Sequence, residues 1–122
     1  MDSFSTYQAG KKGEDTAVEF LEKKGYSILA RNYVYRKKEI DIIARDKNTV
    51  VFVEVKERST DYFGQPYDAV NMKKQKSIVT VADNYIRQHN IDMESRFDVV
   101  SIVFCKDGVP VIEHIESAFE PV

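Results

Sequence analysis

The chain has 122 residues, 43% hydrophobic and 31% charged, with a formal net charge of −2. That length makes one compact domain, residues 1–122, and excludes a second core of useful size; the near-neutral balance argues against indiscriminate coating of nucleic acid. One cysteine excludes an intrachain disulfide, and the N-terminal region shows no apolar leader or long apolar span, so the expectation is a cytoplasmic protein with no membrane partner.

A first helix is predicted from a cap at Ser5 or Thr6 to Lys24, with Gly25 as its stop. Ala9, Gly13, Ala17, Phe20 and Leu21 recur at helical spacing and should face a sheet. Glu14 lies beside that stripe, where a side chain either reaches the rim of a cleft or stands in solvent with Asp15. A strand is expected over Tyr26 to Tyr35.

Residues 39 to 57 then read as two apolar strands carrying Asp41, Glu54 and Lys56. TVVFVEVKE is β-branched and aromatic, and period-2 alternation puts Val50, Phe52, Glu54 and Lys56 on one face and Val51, Val53 and Val55 on the other. Apolar residues on both faces imply a strand covered on both sides, where an ionised carboxylate is costly unless paired or bound to a cation. A two-residue Lys47-Asn48 loop, or a four-residue loop over 46–49, pairs residues whose numbers sum to 95. Asp41 then opposes Glu54, and Glu39 opposes Lys56. Two carboxylates directly opposed repel unless a proton or cation lies between them, and a divalent metal is the simplest cation.

STDYFGQP, from Ser59 to Pro66, is a predicted loop, and a helix is predicted from Asn71 to His89 with Asn71 as its cap. Its apolar stripe is Ile78, Val79, Ala82, Tyr85 and Ile86. Gln75, one turn before Val79, either caps the edge of the core or points into a site. RFDVVSIVFCKDGVPVIEHIE supplies two more strands turning at Asp107-Gly108. Asp98 is read as structural, paired with Arg96 or a loop amide. His89 and His114 belong to no ligand-spaced cluster and are expected at the surface, and Cys105 as a small buried hydrophobe. The order αβββαββ, with a parallel crossover after Lys56, is an α/β fold with a mixed central sheet flanked by helices.

Charge is unevenly spread. Residues 1–76 hold 15 Lys/Arg against 12 Asp/Glu, and residues 77–122 hold 3 against 8. Lys11, Lys12, Arg31, Arg36, Lys37, Lys38, Arg58, Lys73, Lys74 and Lys76 are either ordinary solvated charge or, taken together, a track for a phosphate backbone.

The succession GKKGEDTAVEFLEKKGYSILARNY, KKEIDIIARD, VVFVEVKERS and FGQPYDAVNMKKQKSIVTVADNYI resembles the YraN family. These are small predicted endonucleases of the PD-(D/E)XK superfamily, similar to archaeal Holliday junction resolvases. Ile40 stands where that superfamily's motif usually has proline. The resemblance implies a restriction-endonuclease-like αβββαβ core and Mg²⁺- or Mn²⁺-dependent phosphodiester hydrolysis of branched or single-stranded DNA, with a homodimer as the assembly. Carried onto this chain, it makes Asp41 and Glu54 metal ligands, with Glu14 joining them directly or through water. Lys56 would orient or deprotonate the attacking water, and Gln75 would position water or phosphate. Two other classes stay open: a non-catalytic nucleic-acid-binding or assembly module on the same fold, and a structural Glu54/Lys56 charge network.

Overall fold

The computed structural model describes residues 2–58 and 71–121, with side chains from Lys12 onward. Helix α1 (Asp2–Lys23) precedes strands β1 (Ser27–Tyr35), β2 (Lys38–Asp46) and β3 (Thr49–Arg58); helix α2 (Met72–Gln88) is followed by β4 (Glu94–Phe104) and β5 (Pro110–Ile115). The expected element order and the mixed α/β class are both observed. Helix α1 starts before the anticipated cap at Ser5 or Thr6, while the predicted loop from Ser59 to Pro66 and the side chain of Ala9 lie outside the described residues.

The five strands lie in the order β1-β2-β3-β4-β5, with β3 and β4 parallel and all other neighbours antiparallel. Both hairpins at the front of the sheet use two-residue turns. Between β2 and β3 the turn is Lys47-Asn48, as the spacing predicts. Between β1 and β2 it is Arg36-Lys37, with φ of 53° and 66°. Two left-handed residues suit the twist of a tight hairpin but favour Asn-Gly, so two long cations there carry a local backbone cost.

A helix on each face explains why β3 is apolar on both sides. Val50 and Phe52 pack with Ile78, Val81, Ala82 and Tyr85 of α2; Val51 and Val53 pack with Ala17 and Leu21 of α1. Helix α2 is capped as expected, Asn71 Oδ1 accepting from the Lys74 amide at 2.9 Å. Asn71→Ala is expected to lower stability by about 1 kcal/mol in denaturant melts, and Asn71→Ser to leave it nearly unchanged.

Asp98 is structural and has both anticipated kinds of partner. Arg96 donates to its two oxygens at 2.9 and 3.0 Å, and the Ser117 amide donates at 3.0 Å. His114, expected at the surface, is instead the third partner. Its side chain is 3% exposed, with Nε2 2.7 Å from Asp98 Oδ2 and Nδ1 2.9 Å from Lys24 Nζ. The rings of Phe20 and Tyr26 meet it edge-on. These contacts hold Asp98 ionised, keeping its pKa below the usual carboxylate value despite burial. His89 is exposed at the end of α2, as expected, and Cys105 is half-buried rather than fully buried. Among the described residues no helix is long and apolar enough to cross a membrane.

Candidate functional site

The β2–β3 ladder runs from Asp46↔Thr49 to Ile42↔Val53 in the expected register. The next step would set Asp41 against Glu54. There the Asp41 side chain joins the ladder itself, Oδ2 accepting from the Val55 amide at 2.8 Å. On the other side of β2, the pairing passes from Arg31↔Ile42 to Tyr33↔Ile40 across Asn32, which has φ of 51°. Ile40 and Ile43 both reach the α2-side core while Ile42 reaches the α1 side, so strict alternation slips once around Asp41. Irregularities of this kind re-aim a side chain that a regular ladder would hold on one face.

Glu54 is 5% exposed, on the α2 side of β3. Its Oε2 lies 3.3 Å from Lys56 Nζ, one pleat along the same strand face, and 3.5 Å from Lys74 Nζ of α2. Burial, and then the neighbouring Glu54 charge, push the Asp41 pKa up to about 7; the Val55 amide opposes the rise, and Glu39 and Glu14 add smaller repulsions. Asp41 and Glu54 are therefore electrostatic neighbours, as the hairpin register requires.

Glu14 and Glu39 stand at the margin. Glu14 accepts from Arg31 Nε and Nη2 at 3.1 and 2.9 Å and from Asn32 Nδ2 at 2.7 Å, and the same amide nitrogen is 2.7 Å from Glu39 Oε2. The Glu39–Lys56 pairing expected from the register does not form, because the ladder ends at Ile42↔Val53 and Lys56 turns to Glu54. Gln75 is half-buried and lines a cleft of about 330 Å³ between α2 and the C-terminal residues, together with Val79 and Phe119. Gln75 and Lys74 thus serve different flanks of α2, about 100° apart around its axis.

Among the described residues no group of three or more His, Cys, Asp or Glu is arranged to hold a metal ion. The donor pair Asp41 and Glu54 still fits Mg²⁺ or Mn²⁺ in chemistry. Both are hard carboxylates, and Mg²⁺ is commonly held by one or two carboxylates, with waters and substrate phosphate completing its shell.

Sequence reasoning misses two participants. Lys74 is there only one of ten cations on an expected phosphate track, yet it heads the buried stripe of Ile78, Val81, Ala82 and Tyr85. A lysine one turn before such a stripe is the signal for an inward-facing charge. Asn32 carries no signal, since its role depends on a left-handed backbone that no local motif announces.

Residues 13–102 match the family described as "Uncharacterised protein family UPF0102". The chain is 46% identical over 112 residues to a UPF0102 protein of Christiangramia forsetii, covering 92% of this chain and 93% of the relative. It is 48% identical over 112 residues to one of Geobacter metallireducens, covering 91% of each. A third, from Flavobacterium psychrophilum, is 47% identical over 110 residues, covering 90% of this chain and 92% of the relative. Glu14, Asn32, Asp41, Glu54, Lys56, Lys74 and Gln75 all fall inside the matched span, and the chain belongs to the UPF0102 family.

Proposed function

We propose that this protein is a Mg²⁺- or Mn²⁺-dependent endodeoxyribonuclease of the PD-(D/E)XK type that acts on branched or single-stranded DNA. One observation carries the reading: where the β2–β3 ladder stops, Asp41, its Oδ2 accepting from the Val55 amide at 2.8 Å, is next in register to the buried Glu54, which has a lysine 3.3 Å away. Asp41 and Glu54 would hold the cation, which supplies charge stabilisation at the phosphoryl oxygens and makes water more acidic. Lys56, as an ammonium, would orient the attacking water by donating to it from Nζ and would steady charge on the phosphate, the water's proton passing to solvent.

Glu14 contributes indirectly, its bond to Asn32 bracing the backbone beside Asp41. Gln75 is assigned to substrate contact from the cleft side of α2. The exposed Arg36-Lys37 turn and Lys73 and Lys76 provide cations for the DNA backbone, and a homodimer would match a two-fold-symmetric junction.

One observation favours the structural rival: Glu54 already has two ammonium partners, so its charge is balanced without a metal. The test is a panel of labelled duplex, flap, single-stranded and four-way-junction DNAs incubated with purified protein and Mg²⁺ or Mn²⁺. Cleavage of at least one branched or single-stranded substrate is expected, absent with chelator. Metal and DNA binding without cleavage would identify a non-catalytic module. A melting temperature unmoved by either metal would leave the charge network as purely structural.

A further inference from the structure

Glu54 carries one negative charge and is held by two ammonium groups, and the two lysines are not equivalent. Lys56 lies on the same strand face, with 26% of its side chain exposed, and the strand fixes its direction. Lys74 reaches the same oxygen from α2 at 3.5 Å, and 41% of its side chain is exposed. Its stem has solvent on one side and four rotatable bonds with which to leave.

We propose that Lys74 is a DNA-phosphate-binding residue that Glu54 holds in reserve and that is released when a divalent cation takes up the Glu54 charge. This rests on the metal-site reading above. A cation shared by Asp41 and Glu54 neutralises the carboxylate that attracts Lys74 and adds like charge beside its ammonium. The anion then available to Lys74 is the phosphodiester of a bound strand. Lys74 and the metal compete for Glu54, whereas DNA and the metal cooperate, because a phosphate that draws Lys74 away leaves Glu54 free for the cation. Linkage makes that cooperation reciprocal.

The test is Lys74→Met, which keeps most of the stem and removes the charge, with Lys73→Met as a neighbouring-charge control. Titrated with Mn²⁺ alone in a calorimeter, Lys74→Met is expected to bind the ion about three- to tenfold tighter than wild type, the scale of losing one partly exposed competing ion pair. With Mn²⁺ present, its affinity for a labelled junction or single strand, read by fluorescence anisotropy, should fall roughly ten- to a hundredfold, the scale of a lost charge-assisted hydrogen bond. Lys74→Arg should recover most of the DNA affinity, and Lys73→Met should weaken DNA binding without moving Mn²⁺ affinity. Wild type that binds Mn²⁺, paired with a Lys74→Met protein that binds it no tighter, would overturn this inference and leave the metal site standing. Wild type that binds no Mn²⁺ would overturn both.

Discussion

Lys56→Ala is expected to abolish DNA cleavage, lowering kcat by at least about a hundredfold, the usual cost of losing one positioned donor to the charge that develops in the transition state. The fold should survive. Removing one partner of a buried ion pair is normally destabilising because it strands the other charge in low dielectric. Here Glu54 keeps Lys74 at 3.5 Å on the same oxygen, so the carboxylate is not stranded. Melting temperature and circular dichroism of the variant should therefore stay close to wild type while turnover disappears. Activity unchanged by the substitution would mean a contaminating nuclease or a different site.

The same arrangement alters what Glu54→Gln should do. Read from the register alone, Asp41 and Glu54 are two uncompensated like charges, and neutralising one should stabilise the metal-free protein. The two lysines on Glu54 oppose that gain, because the amide leaves both ammonium groups without their counter-ion. Asp41, relieved of the Glu54 repulsion, becomes easier to ionise and can replace part of the lost charge. Relief and loss then offset each other, and the sign is no longer set by the carboxylate pair. Asp41 is the cleaner residue at which to read the repulsion.

The hairpin register was legible in the sequence because a short, even turn leaves few choices, and a slip of one residue would have put Asp41 and Glu54 on different faces. The cap at Asn71 and the partners of Asp98 were legible for similar reasons: Arg96 is two residues away on the same strand face, and a loop amide follows the last strand. What escaped depends on contacts between distant segments. His114 is buried by Phe20, Tyr26 and Lys24, the last of them 90 residues away in the chain. Asn32 adopts a left-handed backbone beside Asp41 and bridges Glu14 to Glu39, residues from two different elements. Lys74 was hidden by company, one cation among several on the same helical turn, although the helical period already placed it at the head of the core stripe. Asp41, Glu54 and Lys56 of the candidate site followed from strand geometry, whereas the contact of Lys74 with Glu54 required knowing how α2 lies across β3.

Asp41→Asn should stabilise the metal-free protein at alkaline pH and leave it nearly unchanged at acidic pH. The Asp41 pKa rises from 3.8 to about 7 on folding, through burial first and the Glu54 charge second. Between those values the folded state keeps a proton that the unfolded chain has released. Stability contributed by Asp41 is therefore complete below about pH 4, falls as pH rises towards 7, and is lost above that. At about 1.4 kcal/mol for each tenfold change in the acid dissociation constant, the loss is on the order of 4 kcal/mol. Asparagine cannot ionise, and its carbonyl oxygen can still accept from the Val55 amide, so the variant escapes the loss. Groups common to both proteins, such as Asp98 with its lowered pKa and Glu57 with its raised one, cancel in the difference. Chemical denaturation of the two proteins at pH 4.5 and pH 8 without metal should give a stability difference that grows by several kcal/mol in favour of the variant. With Mn²⁺ at pH 8 the ranking should narrow or invert, since wild type gains stability by mass action and an amide is a poor ligand for a hard cation. A difference that stays constant from pH 4.5 to pH 8 would show that Asp41 is ionised throughout. The repulsion between Asp41 and Glu54, on which the candidate site rests, would then be absent.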